Sequence, residues 1–139
     1  AHADLSVTQA TLERWVAAYQ DGDSFKWAIT LKSQSDQVIG DISGVGYDPA
    51  TNSITIGYVL GRDYWGKGYM TQALIAVSRF FLQEADINRV RATHDTANLG
   101  SGRVMQKAGF HFEGILRQAG HNNQGIVDSA HYSLLKSDL

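Results

Sequence analysis

Arg62-Asp63-Tyr64-Trp65-Gly66-Lys67-Gly68 joins two stretches of different periodicity. Before it, Ile54-Thr55-Ile56-Gly57-Tyr58-Val59-Leu60 is rich in β-branched residues and reads as a strand. After it, Met70, Ala73, Leu74, Val77, Phe81 and Ala85 recur at three- and four-residue intervals, which predicts a helix over 69–85 with one buried stripe. A glycine loop that feeds a helix start is a place for an anion. Its two glycines let backbone N–H groups approach a ligand closely, the first helical turn leaves donors unpaired, and Lys67 adds a positive charge. A phosphate or diphosphate meets all three conditions.

What the loop lacks narrows the ligand. Gly61 to Lys67 matches the G-x-x-x-x-G-K spacing of a Walker loop, but Gly68 stands where a Ser or Thr hydroxyl would hold magnesium. A dinucleotide fingerprint needs a third glycine where Thr71 stands. What remains is a metal-free loop whose amides hold a diphosphate. Tyr64-Trp65-Gly66-Lys67-Gly68-Tyr69-Met70-Thr71-Gln72-Ala73-Leu74 resembles the signature loop and helix of the GNAT N-acetyltransferases. A second block agrees. Asn98-Leu99-Gly100-Ser101-Gly102-Arg103-Val104-Met105-Gln106-Lys107-Ala108-Gly109-Phe110, with Phe112-Glu113-Gly114 and Leu116-Arg117 after it, resembles the family's later helix and following strand. Together they are similar to the branch that includes the ribosomal-protein N-terminal acetyltransferases, over residues 27–135.

The resemblance implies an α+β fold: a central mixed, mostly antiparallel sheet flanked by helices, here lacking the usual first strand and helix. It implies acetyl-CoA as co-substrate, no metal, and direct transfer to a primary amine in a ternary complex. Val59 and Leu60 would offer backbone groups to the pantetheine arm and the acetyl carbonyl. Gly66, Lys67, Gly68, Tyr69, Met70 and Thr71 would hold the diphosphate, with Trp65 close enough to touch the cofactor. Asn98 and Ser101 fall on the first turn of a helix, where Asn98 can bond the arm and Ser101 can point its hydroxyl at the sulfur as proton donor. The branch often carries a Glu on the strand before the loop, and Thr55 aligns there. His94 or Glu113 is the alternative base, and the base stays unassigned. The acceptor it favours is a protein N-terminal amine, with a small-molecule amine as competitor.

The remaining segments alternate strands and helices. The stretch 4–19 reads as a helix, with Ser6 or Thr8 as cap and Leu12, Trp15, Val16 and Tyr19 on one face. Strands are expected over 25–32 and 38–45, paired as a hairpin through a turn at 33–37, and a turn around Pro49 leads into the strand 54–60. A short strand over 89–94 should lie parallel to 54–60 after a helical crossover. Asn98 can cap the next helix, Gly109 ends it, and strands at 110–118 and 127–135 close the chain around a polar loop at 121–125.

Composition bounds the rest. With 139 residues, 43% hydrophobic and 19% charged, the chain builds one core, read as one domain over 1–139 that is N-terminally incomplete. A net charge of −2 gives no reason to expect nucleic acid as a partner. No apolar run approaches the ~18 residues of a membrane helix. The absence of cysteine removes disulfides, thiolate metal sites and a cysteine nucleophile, and suits the cytoplasm. Five scattered histidines show no paired ligand spacing. His94, Asp95 and Ser101 are too close in sequence to assemble a catalytic triad, and the G-x-S-x-G elbow is absent. Two other classes fit parts of the pattern: a CoA-binding or sensing module that lost its base, as Thr55 suggests, and a degenerate P-loop nucleotide binder. Oligomeric state is open, with a dimer among the options.

Overall fold

The computed structural model of the protein describes residues 5–6, 25–31 and 34–139. Among these, β2 (Phe25–Leu31), β3 (Gln34–Asp48) and β4 (Ser53–Leu60) form an antiparallel meander. A two-residue strand, β1 (Leu5–Ser6), pairs with β2 through Leu31 and Thr30. Leu5 and Ser6 are therefore extended, not helical. The rest of the helix expected over 4–19 lies outside the described residues. β3 begins inside the turn expected at 33–37, because Leu31 already pairs with Gln34.

Alternation in β2 explains its placement. Phe25, Trp27 and Ile29 are fully buried, while Lys26 and Ala28 are exposed. Helix α1 (Tyr69–Arg79) lays Met70, Ala73, Leu74 and Val77 on that face and runs into a π-helical turn, Phe80–Glu84, closed by the Ala85 N–H on the Phe80 carbonyl at 3.0 Å. The wider turn buries Leu82 beside Phe81, while Ala85, where the expected stripe ends, still packs against the core. Phe81 meets Phe25 and Trp27 edge-on, with centroids 4.9 and 5.4 Å away. It also lies on Gly44, where a Cβ would come within 2.5 Å of its ring, so only glycine lets helix and sheet approach this closely.

After α1 the chain returns as β5 (Arg89–Asp95), parallel to β4, through Ser53–Arg89, Ile54–Val90 and Thr55–Arg91. Parallel pairing ends there. β4 stays with β3 as far as Leu60, whereas β5 follows β7 (Gly125–Leu135) along its whole length, so the two strands separate into a gap. Helix α2 (Leu99–Lys107) follows β5, and β6 (His111–Asn122) forms the outer edge, giving the order β1-β2-β3-β4-β5-β7-β6. The last hairpin is longer than expected. Asn122 pairs with Gly125, leaving Asn123 and Gln124 as the tip, because the Asn122 side chain accepts from the Gln124 N–H and Gly125 takes a φ of 123°.

Candidate active site

Chain direction places the glycine loop at the mouth of this gap. β4 ends at Leu60, a 3-10 turn (Arg62–Tyr64) reverses the chain, and Gly66 and Gly68 take φ of 75° and 82°, a region favouring glycine. Gly68 is the N-cap of α1 and has no side chain to offer the first-turn donors. The first bond back to the cap comes from the Gln72 N–H on the Gly68 carbonyl, so the amides of Tyr69, Met70 and Thr71 have no partner within the helix. No acidic residue occupies the first turn to compete for them.

These amides border a cavity of about 720 Å³ that runs from the gap along α2. Of the residues expected at the cofactor, Val59, Leu60, Trp65, Gly66, Gly68, Tyr69, Met70, Thr71, Asn98 and Ser101 line it, and Lys67 does not. Two cations that sequence reasoning missed take Lys67's place: Arg103 and Lys107, four residues apart on α2, line the cavity. Among the described residues no carboxylate lines it. The i, i+4 spacing was readable, but nothing in the sequence says which face of α2 meets the loop.

Strand parity corrects one assignment. The Gly61 N–H donates to the Ile39 carbonyl at 2.8 Å, so the peptide groups of Val59, two residues back and paired with Asp41, also point toward β3. Adjacent strand residues cannot face the same edge. Tyr58 and Leu60 turn their peptide groups to the gap, and Val59 brings its side chain, 65% exposed. The Leu60 carbonyl already accepts from the Trp65 indole N–H at 2.7 Å, which folds Trp65 against the end of β4, with Arg62 above its ring. The Leu60 N–H remains on the gap side.

Around the start of α2 the hydroxyls gather. Asn98 caps the helix, its side-chain oxygen accepting from the Ser101 N–H at 3.1 Å, which leaves the Asn98 amide NH2 as a donor. The Tyr58 hydroxyl donates to the Ser101 carbonyl at 3.3 Å. Burial raises the pKa of this phenol above its ordinary value, against a smaller lowering by a hydrogen bond with Ser101 and with a small raising contribution from Tyr132. Tyr58 was missed in the sequence because its place in the 54, 56, 58, 60 alternation makes it look like core.

The two candidate bases are engaged elsewhere. His94 holds Nδ1 at 2.6 Å from the Asp95 carbonyl, which can only accept, so Nδ1 carries the hydrogen. Its Nε2 then accepts from the Tyr132 hydroxyl at 3.3 Å, which uses the remaining lone pair. Glu113 receives both terminal guanidinium nitrogens of Arg89, at 2.9 and 2.6 Å, and the Ser133 hydroxyl at 2.9 Å. Arg89 is the main cause of its pKa falling to about 2. A carboxylate so held is a weak proton acceptor, and Arg89 begins β5 at the end away from the gap. Among the described residues no group of His, Asp or Glu could hold a metal ion, and no helix is long and apolar enough to cross a membrane.

The family profile described as an acetyltransferase (GNAT) domain matches residues 1–111. An uncharacterized N-acetyltransferase, p20, of Bacillus licheniformis is 29% identical over 118 residues, 85% of this chain and 66% of that protein. The ribosomal-protein-serine acetyltransferase of Escherichia coli K12 is 30% identical over 121 residues, 87% of this chain and 66% of that protein. The chain thus spans about two thirds of the length of these relatives. Among solved structures, the microcin C7 self-immunity acetyltransferase MccE, in complex with acetyl-CoA and AMP, superposes with a TM-score of 0.76 at 25% identity, covering 91% of this chain and 68% of that one.

Proposed function

Because this chain belongs to the GNAT family of acetyl-CoA-dependent N-acetyltransferases, we propose that it moves an acetyl group from acetyl-CoA to a primary amine, a protein N-terminus before a small molecule. One observation carries the reading: uncapped first-turn amides behind two left-handed glycines open on a cavity lined, among the described residues, by two cations and no carboxylate, contiguous with the gap between β4 and β5. That set fits a diphosphate bound without metal. The E. coli relative is named for a ribosomal-protein serine, which favours the protein acceptor. A reducing cytoplasm is the proposed compartment, in keeping with a chain that has no cysteine.

The amides of Tyr69, Met70 and Thr71, with Arg103 and Lys107, hold the phosphates. The Asn98 amide and the gap-facing groups of Tyr58 and Leu60 hold the arm, and the Leu60 N–H is the donor available to the acetyl oxygen. A neutral amine attacks the acetyl carbon, forming the N–C bond as the C–S bond breaks. The amine gives up a proton to solvent, and the sulfur gains one from Ser101, whose hydroxyl is reprotonated from solvent, with the Tyr58 phenol as a second hydroxyl beside it.

Calorimetric titration with acetyl-CoA, followed by an acceptor screen with wild type and Ser101→Ala, tests this. Both proteins should bind the cofactor tightly, and the variant should turn over more slowly. Equal turnover would remove Ser101 from the mechanism. Tight binding with no transfer to any amine would leave a CoA-binding module instead.

A further inference from the structure

The two faces of the gap carry different chemistry. Toward α2 stand Tyr58 and Ser101. On the opposite face the register groups Thr55 of β4, Arg91 of β5, and His131 and Ser133 of β7. Thr55 and Arg91 are the last pair before β4 and β5 part, so the Arg91 side chain leaves the sheet at the root of the gap. His131 pairs with Thr93, one step further along the same face, and stands diagonal to Arg91.

Both side chains have unmet needs. Arg91 Nε and His131 Nε2 are buried and have no hydrogen-bond partner. The neighbouring carboxylate is taken, since Glu113 binds Arg89 and Ser133. Among the described residues Arg91 forms no ion pair. A buried donor on a permanent cation is costly to leave unpaired, so a site that keeps one calls for an oxygen from outside the described residues. Guanidinium Nε, together with one terminal nitrogen, is the side-on edge that takes both oxygens of a carboxylate.

With the cofactor arm on the α2 side, an amine reaches the acetyl group from this opposite face. We propose that the acceptor carries a carboxylate close to its reacting amine, and that Arg91 and His131 bind it. This rests on the acetyl-transfer reading above. The same carboxylate chemistry has two sources: the α-carboxylate of a free amino acid, or an acidic side chain in the first residues of a peptide N-terminus.

The test compares matched acceptors at saturating acetyl-CoA: free amino acids against their carboxamides, and peptides with Asp or Glu at the second position against Asn or Gln. Wild type should prefer the acid member of at least one pair by roughly ten- to hundredfold in kcat/KM, mostly through KM. The pair that discriminates names the source. In Arg91→Gln that ratio should collapse toward one while acetyl-CoA affinity, measured separately, stays at the wild-type value and reports an intact fold. Arg91→Lys, which keeps the charge but loses the fork, should recover part of the ratio. Transfer with no acid preference in wild type, or an Arg91→Gln loss that falls equally on both members of each pair, overturns the proposal and leaves the acetyltransferase reading standing. Bound acetyl-CoA with no transfer to any amine removes both.

Discussion

Replacing Gly68 with alanine separates what the loop costs the fold from what it gives a ligand. Gly68 has a φ of 82°, and a Cβ built on it meets nothing within 4 Å, so the substitution brings backbone strain without a clash. Holding an L-residue in that left-handed conformation costs about 1–2 kcal/mol. For a domain of this size that is a fall in Tm of roughly 3–8 °C. Gly46 provides a matched control, with a φ of 62°, equally open space, and a place in β3 outside the cavity lining. Gly46→Ala and Gly68→Ala should therefore lose similar stability. Only Gly68→Ala sets a methyl group beside the amides that open on the cavity. Losing one hydrogen bond to a charged group costs about 1.5–3 kcal/mol, so its affinity for acetyl-CoA should drop roughly 10- to 150-fold. Calorimetric titration with acetyl-CoA and thermal unfolding on all three proteins make the comparison. If Gly68→Ala and Gly46→Ala bind the cofactor equally well, these amides do not hold the diphosphate and the assignment of the loop fails.

Three further outcomes follow from particular contacts. Tyr58→Phe keeps the ring and removes the hydroxyl beside Ser101; single-turnover acetyl transfer should slow about tenfold, short of the loss of a sole general acid because Ser101 remains, with cofactor affinity unchanged. Glu113 has its carboxyl held at about 2 in the folded protein, below its ordinary 4.5, chiefly by Arg89, so its contribution is complete above about 4.5 and fades as pH falls toward 2. The pair is partly solvent-exposed, so Glu113→Gln should cost only about 1 kcal/mol at neutral pH, and urea unfolding at a series of pH values should show the difference shrinking through that acid window. Gly44→Ala forces a methyl group against the Phe81 ring and should destabilise by about 1–3 kcal/mol, read as a lower urea midpoint.

Legibility followed how local the cause was. Gly66, Gly68 and the three- and four-residue spacing of α1 are local signals, and the loop and helix were readable from them. The cap by Asn98 and the turn at Gly109 were readable for the same reason. Pairing is not local. The family resemblance names Val59 and Leu60 together, yet only the register with β3, fixed by Asp41 and Ile39, decides that Leu60 and Tyr58 face the gap. The insertion of β7 between β5 and β6 is a property of the whole sheet. Arg91 and His131, forty residues apart, share a face only because of it, and nothing in the sequence joins them. Leu5 and Ser6 show the opposite failure: helical spacing further along was extended back over two residues that pair as a strand.

The gap opens where each of two strands keeps only its other neighbour. β5 is paired on both edges from Arg89 to Arg91, and from Ala92 to Asp95 it keeps only β7. β4 in turn is held by β3 to its last residue. Each strand is thus satisfied on its outer edge, while the inner edge of β4 beyond Thr55 keeps peptide groups in the middle of the sheet without a strand opposite. Interior sheet edges are costly to leave bare, and an extended ligand arm supplies the missing partner at less entropic cost than another strand would. The Trp65 indole already covers one such carbonyl at Leu60. The loop residue that closes the end of β4 therefore also fixes how far along that edge a ligand can pair, which under the proposed function ties the position of the reacting carbon to the turn assigned to the phosphates.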